Sequence, residues 1–367
     1  MADVIMLNFT VAGNVTIQNK TPAPSVGRDR YDWFQVAIPI VSLCGILGNV
    51  LNLIILTRKR MVVGMDRLGR TANYGLIGLA VSDFLFCVVV FPHSFLNNGA
   101  VGQQTAPLGK YYRLYGIAAI NLFIMISTWL IVSMAVKRYI VVVYPLHARE
   151  QLTIRRTALV ILTVYLGSVL LTLPYFLHLA VRATGGENGT EVVYKYRPVW
   201  SKRDTKNMQL YMRWIWPIIA HFVPVVLLVF CNVRLIRELK GARLIRRSSC
   251  PGQKIKERGN KVTLTLVIIV LMLLILVSPA ELLKYVNPYK SWGYVGHIVA
   301  SVANMMQTVN FSFNFLLYFA VNANFRQTFR ALLPPCLDFC FPDKASSASR
   351  AFTRTMSRSS RTLEIDL

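Results

Sequence analysis

A lone carboxylate, Asp83, stands in the apolar run LAVSDFLF, and a row of amides stands in and around another, NFSFNFLLYF at 310–319. Asn304, Gln307, Asn310, Asn314 and Tyr318 recur at intervals of three, three, four and four, so a helix would carry all five on one face. Gly45, Asn49 and Asn52 share a face in an earlier run, where the glycine lets a neighbouring helix come close. Ser127 and Arg138 lie eleven residues apart, three turns along one side of a third. If helices turn Asp83, Asn49, Ser127, Asn310 and Asn314 toward a common centre, they enclose a small hydrated cavity. Amides, a hydroxyl, water or a sodium ion would then satisfy the acid. The plainer reading is that the amides join helices, but such bonds average only about 0.6 kcal/mol in membranes. That is a small return for five polar positions on one face.

The elements that must hold these groups are membrane helices. The chain has 367 residues, is 54% hydrophobic, has a mean hydropathy of +0.46 and carries a formal charge of +25. A helix needs roughly 20 apolar residues to span a bilayer. Seven runs meet or nearly meet this, at 34–57, 72–95, 111–143, 157–179, 210–236, 262–286 and 296–320. The fold expected is an all-α membrane protein, a seven-transmembrane helix bundle. A charge near the bilayer centre costs about 2.5–3.5 kcal/mol on insertion scales, so Asp83 must face protein or water.

Segments 58–71, 137–156, 234–261 and 321–367 hold 27 of the 41 lysines and arginines, which sets that side as cytoplasmic and the N-terminus as extracellular. The acceptor tripeptides at Asn8, Asn14, Asn19 and Asn188 all fall on the outer side and are read as glycosylation sites. The first 33 residues lack a basic start and a continuous apolar core, so the first span is expected to act as the targeting signal. Basic residues concentrated beside spans read as topology determinants and contacts for anionic membrane lipid, not as a nucleic-acid surface. Cys336 and Cys340 follow the basic amphipathic segment NANFRQTFRALL and are candidates for palmitoylation. The division expected is an extracellular glycosylated tail (1–33), a seven-helix domain (34–334) and a disordered cytoplasmic tail (335–367). The serines and threonines of that last tail are kinase candidates, since phosphate would convert a basic tail into an acidic docking strip. Its EIDL ending has the apolar-x-apolar form that adds a strand to a PDZ domain.

With these residues placed, the chain resembles the rhodopsin-like G protein-coupled receptors from residue 34 to about 334. GNVLN at 48–52, LAVSD at 79–83, KRYIVVVYPL at 137–146, Pro224, Pro279 and NFLLY at 314–318 resemble that family's helix motifs in order and spacing. NFRQTF resembles the start of its short amphipathic eighth helix. The resemblance implies a resting-state sodium site at Asp83, Asn49, Ser127, Asn310 and Asn314, with no other cofactor. It also implies switch residues Arg138, Tyr139 and Tyr318, with Pro279 allowing the sixth helix to swing so that a heterotrimeric G protein can bind, and arrestin as a further partner. The local pattern NFSFNFLLYF, with YPLHAREQLTIRRT and NVRLIREL, looks like invertebrate FMRFamide-type neuropeptide receptors.

Departures from the family pattern are equally specific. Lys137 replaces the acid before Arg138, Val277 stands at the sixth-helix tryptophan position, Tyr165 at the fourth-helix tryptophan and Asn232 at the fifth-helix tyrosine. Arg113 occupies the third-helix cysteine position, and the loop 180–209 has no cysteine to pair with, so packing and hydrogen bonds must hold it unless it is mobile. Thr308 in place of a lysine disfavours retinal, and Ile120 in place of an aspartate disfavours a monoamine. What remains is a peptide or another sizeable ligand, and the resemblance of the local pattern points to a neuropeptide. Glu281 could pair with a cation of such a ligand or with Lys284, and Ile120, Asn121, Gln307 and Trp292 complete the candidate pocket. The competing functions are a receptor-like chaperone or decoy that has lost coupling, and an ion transporter using the Asp83 cavity. No nucleophile, metal or phosphate motif suggests an enzyme. The localisation expected is the plasma membrane, multi-pass.

Overall fold

The computed structural model describes residues 33–62, 65, 67–96, 107–144, 153–177, 179–184, 193–198, 207, 210–246, 267–286 and 288–332. Helices α1 (Trp33–Thr57), α2 (Arg67–Leu96), α3 (Pro107–Val143) and α4 (Ile154–Leu177) follow one another, with a short turn of helix at Lys59–Val62 between the first two. Two π turns, Tyr211–Ile215 and Ile218–Phe222, lead into α5 (Val223–Arg246). Helix α6 covers 267–286 with a turn at Val277, its second part being Ser278–Val286. Then come α7 (Pro288–Ser312), α8 (Asn314–Val321) and α9 (Ala323–Arg330).

Among the described residues, five helices are long and apolar enough to cross a membrane: Val36–Thr57, Arg67–Ser94, Tyr115–Val143, Ile154–Leu177 and Ile218–Glu238, with Val267–Leu283 as a shorter apolar helix. The seventh run is helical too, but it begins earlier than expected, at Pro288, and is cut at Phe313. Its amides and hydroxyls dilute the apolar content that the other spans show.

Helix α4 shows how these spans meet their surroundings. Its buried residues are Thr157, Ser168 and Thr172, while Leu159, Leu162, Leu166, Leu170 and Leu173 point outward, Leu170 with 69% of its surface exposed. Water would penalise such an inverted arrangement, whereas lipid tails are as apolar as leucine and leave small and hydroxylated residues to make the helix contacts. The interior is apolar between its polar sites: Ile55, Leu79, Phe86, Leu228, Leu273 and Phe311 belong to one buried cluster, and the Phe86 and Phe311 rings stack 4.0 Å apart.

The segment read from sequence as a loop at 180–209 contains a strand pair. β1 (Leu179–Thr184) and β2 (Val193–Pro198) run antiparallel, from Leu179 opposite Pro198 to Thr184 opposite Val193. Pairing satisfies the backbone groups without a disulfide, and Val193, Tyr194 and Tyr196 are residues that suit a pleated ribbon. An all-α description therefore holds for the bundle but omits this hairpin.

Close approach of α1 to α7 depends on Gly45. A Cβ there would lie 2.6 Å from Cys87 Sγ and 2.9 Å from Ser312 Cβ. Gly45→Ala is expected to cost about 1–3 kcal/mol as an overpacked contact, read as a lower thermal midpoint of the detergent-solubilised chain. Gly167→Ala, whose Cβ would meet nothing within 4 Å, serves as the neutral comparison.

Candidate functional site

Asp83 lies midway along α2 and is fully buried. Ser127 of α3 donates its hydroxyl to Oδ1 at 3.0 Å, and Asn314, the first residue of α8, donates its Nδ2 to Oδ2. Each carboxylate oxygen thus has a donor from a different helix, and among the described residues no cationic side chain pairs with it. One acid binds three elements.

Asn314 reaches Asp83 because the helix is interrupted just before it. Phe313 has φ −100° and ψ 12°, outside the helical basin, although the position that carries proline in the resembling motif is Phe315 here. The ladder runs to Phe313 N–H bonded to Val309 O at 3.0 Å and resumes with Leu316 N–H on Phe313 O at 3.0 Å. The Phe311 carbonyl accepts instead from Asn49 Nδ2 at 2.9 Å, and the same nitrogen also donates to Gly45 O at 3.0 Å. Asn49 therefore joins α1 to α7 and does not bond Asp83. Asn310 is buried on α7 but makes no side-chain hydrogen bond among the described residues. Of the five residues expected to converge, Asp83, Ser127 and Asn314 touch, Asn49 is committed to the neighbouring carbonyl, and Asn310 stands one turn before Asn314.

Other buried or half-buried polar groups bonded to backbone were not singled out as such from the sequence. Asn73 donates to Leu56 O at 2.9 Å, Ser82 to Phe123 O at 3.1 Å, Tyr165 to Gly78 O at 2.8 Å and Trp129 Nε1 to Ile219 O at 3.2 Å. Carbonyl targets leave no side-chain signature, with one exception. Val223 N–H bonds Ile218 O in the wide register, so the next carbonyl, Ile219, would fall to residue 224. That residue is a proline and has no N–H. Pro224 thus leaves an acceptor for the Trp129 indole.

The residues expected to switch lie toward one end of the bundle. Arg138 is buried near the end of α3, with Lys137 half-buried beside it. The Tyr139 ring lies 5.8 Å from Phe230 of α5 and 6.3 Å from Tyr144. Tyr318 is buried, its hydroxyl has no hydrogen-bond partner among the described residues, and its ring lies 5.9 Å from Phe325 of α9. In α6 the Val277 N–H reaches Leu273 O at 2.9 Å and the Glu281 N–H reaches Val277 O at 3.3 Å, bracketing Pro279, which donates nothing. At the other end, buried Gln307 of α7 donates Nε2 to Glu281 Oε1 of α6 at 3.0 Å. Asn121 is buried and Ile120 half-buried on α3. The Trp292, Lys284 and Arg113 side chains lie outside the described ones. So do the residues Asn8, Asn14, Asn19, Asn188, Cys336 and Cys340.

The family model described as 7 transmembrane receptor (rhodopsin family) matches residues 48–322. The chain belongs to that family. A Caenorhabditis elegans chain named as a G-protein coupled receptor is 27% identical over 349 residues, covering 86% of this chain and 79% of its own. The FMRFamide receptor of Drosophila melanogaster is 26% identical over 304 residues, covering 80% of this chain and 52% of its own, so the match spans about half of that receptor. The B1 bradykinin receptor of Chlorocebus pygerythrus is 27% identical over 322 residues, 84% of this chain and 85% of its own. Rhodopsin-family receptors are multi-pass membrane proteins and not enzymes, and the outward leucines of α4 accord with the first of these.

Removing either donor to the Asp83 carboxylate leaves a buried oxygen unserved. Ser127→Ala and Asn314→Ala are each expected to cost about 1–3 kcal/mol, read as lower thermal midpoints. Asn310→Ala, which removes no hydrogen bond, should cost less; an equal or larger loss there would contradict the arrangement.

Proposed function

We propose that this rhodopsin-family receptor binds an extracellular peptide, of the neuropeptide class, and transmits that binding to a heterotrimeric G protein at the plasma membrane, with its N-terminus outside. The observation that carries the proposal is the buried Asp83–Ser127–Asn314 junction, which ties α2, α3 and α8 together between the Glu281–Gln307 pair at one end and Arg138 at the other. A change in spacing between α6 and α7 at the first end must be accommodated at the junction before it reaches the second. Support for a peptide comes from relatives named for FMRFamide and bradykinin, both peptides. Gln307 and Glu281 offer amide and carboxylate groups suited to a peptide backbone or a basic side chain.

Lys137 beside Arg138 favours one modification of this reading. Two adjoining cations replace the acid that the family pattern places there, so the arginine lacks that neighbouring restraint and the resting state is less tightly held. The test uses cells expressing the full chain with a promiscuous G protein, challenged with a panel of amidated neuropeptides. A saturable response to a peptide is expected, with raised basal second messenger that falls in Lys137→Asp. Normal surface expression with no response to any peptide, and basal levels equal in parent and variant, would instead favour the chaperone or decoy reading.

The same junction is proposed to hold sodium in the resting state. A carboxylate, a hydroxyl and an amide oxygen form the hard oxygen set that such a cation prefers, and the absence of a cationic partner for Asp83 among the described residues leaves its charge uncompensated. Asp83, Ser127 and the Asn314 amide oxygen would hold the ion, while Asn314 Nδ2 would orient the carboxylate. Sodium chloride is expected to raise the thermal midpoint above that in equimolar choline chloride, and Asp83→Asn to abolish the difference. An undiminished sodium effect in that variant would place the ion elsewhere.

A further inference from the structure

A groove of about 690 Å³ opens where the end of α1 meets α9, lined by Ile54, Thr57, Arg58 and Lys59 on one side and by Thr328 and Leu332 on the other. It contains two cations and no acid. Arg58 and Lys59 are exposed and make no ion pair among the described residues. The two hydroxyls are already committed, Thr57 to Leu53 O at 2.7 Å and Thr328 to Asn324 O at 2.8 Å. Recognition of a ligand here therefore falls to positive charge.

The groove continues into a second surface. Ile40, Leu43, Leu47, Val50 and Ile54 recur every three or four residues along α1, and all are exposed. From Ile40 to Ile54 this apolar ridge is about 21 Å long at 1.5 Å per residue, comparable with an extended acyl chain. It runs from near the start of the Val36–Thr57 span, past its middle, to the cationic turn, so that a tail can lie along it with its headgroup at that turn. Because α1 is apolar enough to cross a membrane, Arg58 and Lys59 at its end lie at the level of phosphates.

We propose that this groove is a binding site for one anionic phospholipid, with the headgroup between Arg58 and Lys59 and an acyl chain along the α1 ridge. Charge is the only headgroup feature that the site reads, so it selects anionic over zwitterionic lipid without distinguishing among anionic headgroups closely. An occupant would bridge α1 to α9 and brace α9, which is only eight residues long. The site is separate from the Asp83 junction and does not depend on what the receptor binds outside.

Native mass spectrometry of the detergent-solubilised full chain tests this with phosphatidylserine and phosphatidylcholine as probes. One phosphatidylserine retained per chain is expected, with phosphatidylcholine lost at the same activation energy. Arg58→Gln combined with Lys59→Gln should weaken retention roughly tenfold or more, since each cation near a membrane surface contributes appreciably to anionic-lipid binding. Arg155→Gln combined with Arg156→Gln, at the start of α4, should leave it unchanged. Soluble glycerophosphoserine should fail to compete, because it lacks the chain that lies on the ridge. Equal retention by the Arg58/Lys59 variant and the parent, an equal loss in the α4 variant, or full competition by the soluble headgroup would each overturn the proposal.

Discussion

Burial of the Asp83 carboxylate is the constraint around which the bundle is arranged. An acid removed from water without donors is strongly destabilising, and in hydrocarbon the alternative of facing outward is worse. Ser127 and Asn314 meet that demand from two different helices, so α2 cannot be satisfied unless α3 and α8 are in place. A hydrophobic contact tolerates sliding, whereas a carboxylate with one donor on each oxygen fixes register. The apolar cluster around Phe86 and Phe311 provides cohesion, and the acid provides position.

Interruptions in the helices supply the second half of the design. At Phe313 the α7 ladder is broken, which brings Asn314 to Asp83 and gives the Phe311 carbonyl to Asn49. At Pro224 a missing N–H leaves the Ile219 carbonyl for Trp129. At Pro279 the α6 ladder is bridged from Val277 to Glu281, and Glu281 is the residue that meets Gln307. At Phe313 and Pro224 the irregularity turns a backbone carbonyl to a neighbouring helix, and at Pro279 it is a side chain just past the break that makes the contact. In lipid, where water cannot serve a freed carbonyl, such a partner is obligatory. The polar contacts and the breaks therefore specify one another.

Much of this was legible in the chain. Five spans coincide with apolar runs because length and hydropathy are local quantities, and the placement of Asp83, Ser127 and Asn314 on inward faces follows from helical period. The amphipathic segment after the last span appears as α9, started by Asn322, whose side chain accepts from the Asn324 and Phe325 N–H groups. Less legible were the β1–β2 hairpin, the split between α7 and α8, the commitment of Asn49 to the Phe311 carbonyl, and the position of Asn310 away from Asp83. A proline at 315 would have signalled the break, but phenylalanine stands there, and nothing in a phenylalanine announces a non-helical neighbour.

The sequence by itself determined which segments enter the membrane, which faces turn inward and which polar groups must find partners, since these depend on composition and on the 3.6-residue period alone. Only the tertiary structure decided which partner each group found. Asn49 takes a carbonyl and Asn314 takes the acid because hydrogen bonding requires contact distance, and contact distance is set by how closely Gly45 lets α1 approach and where the α7 backbone bends.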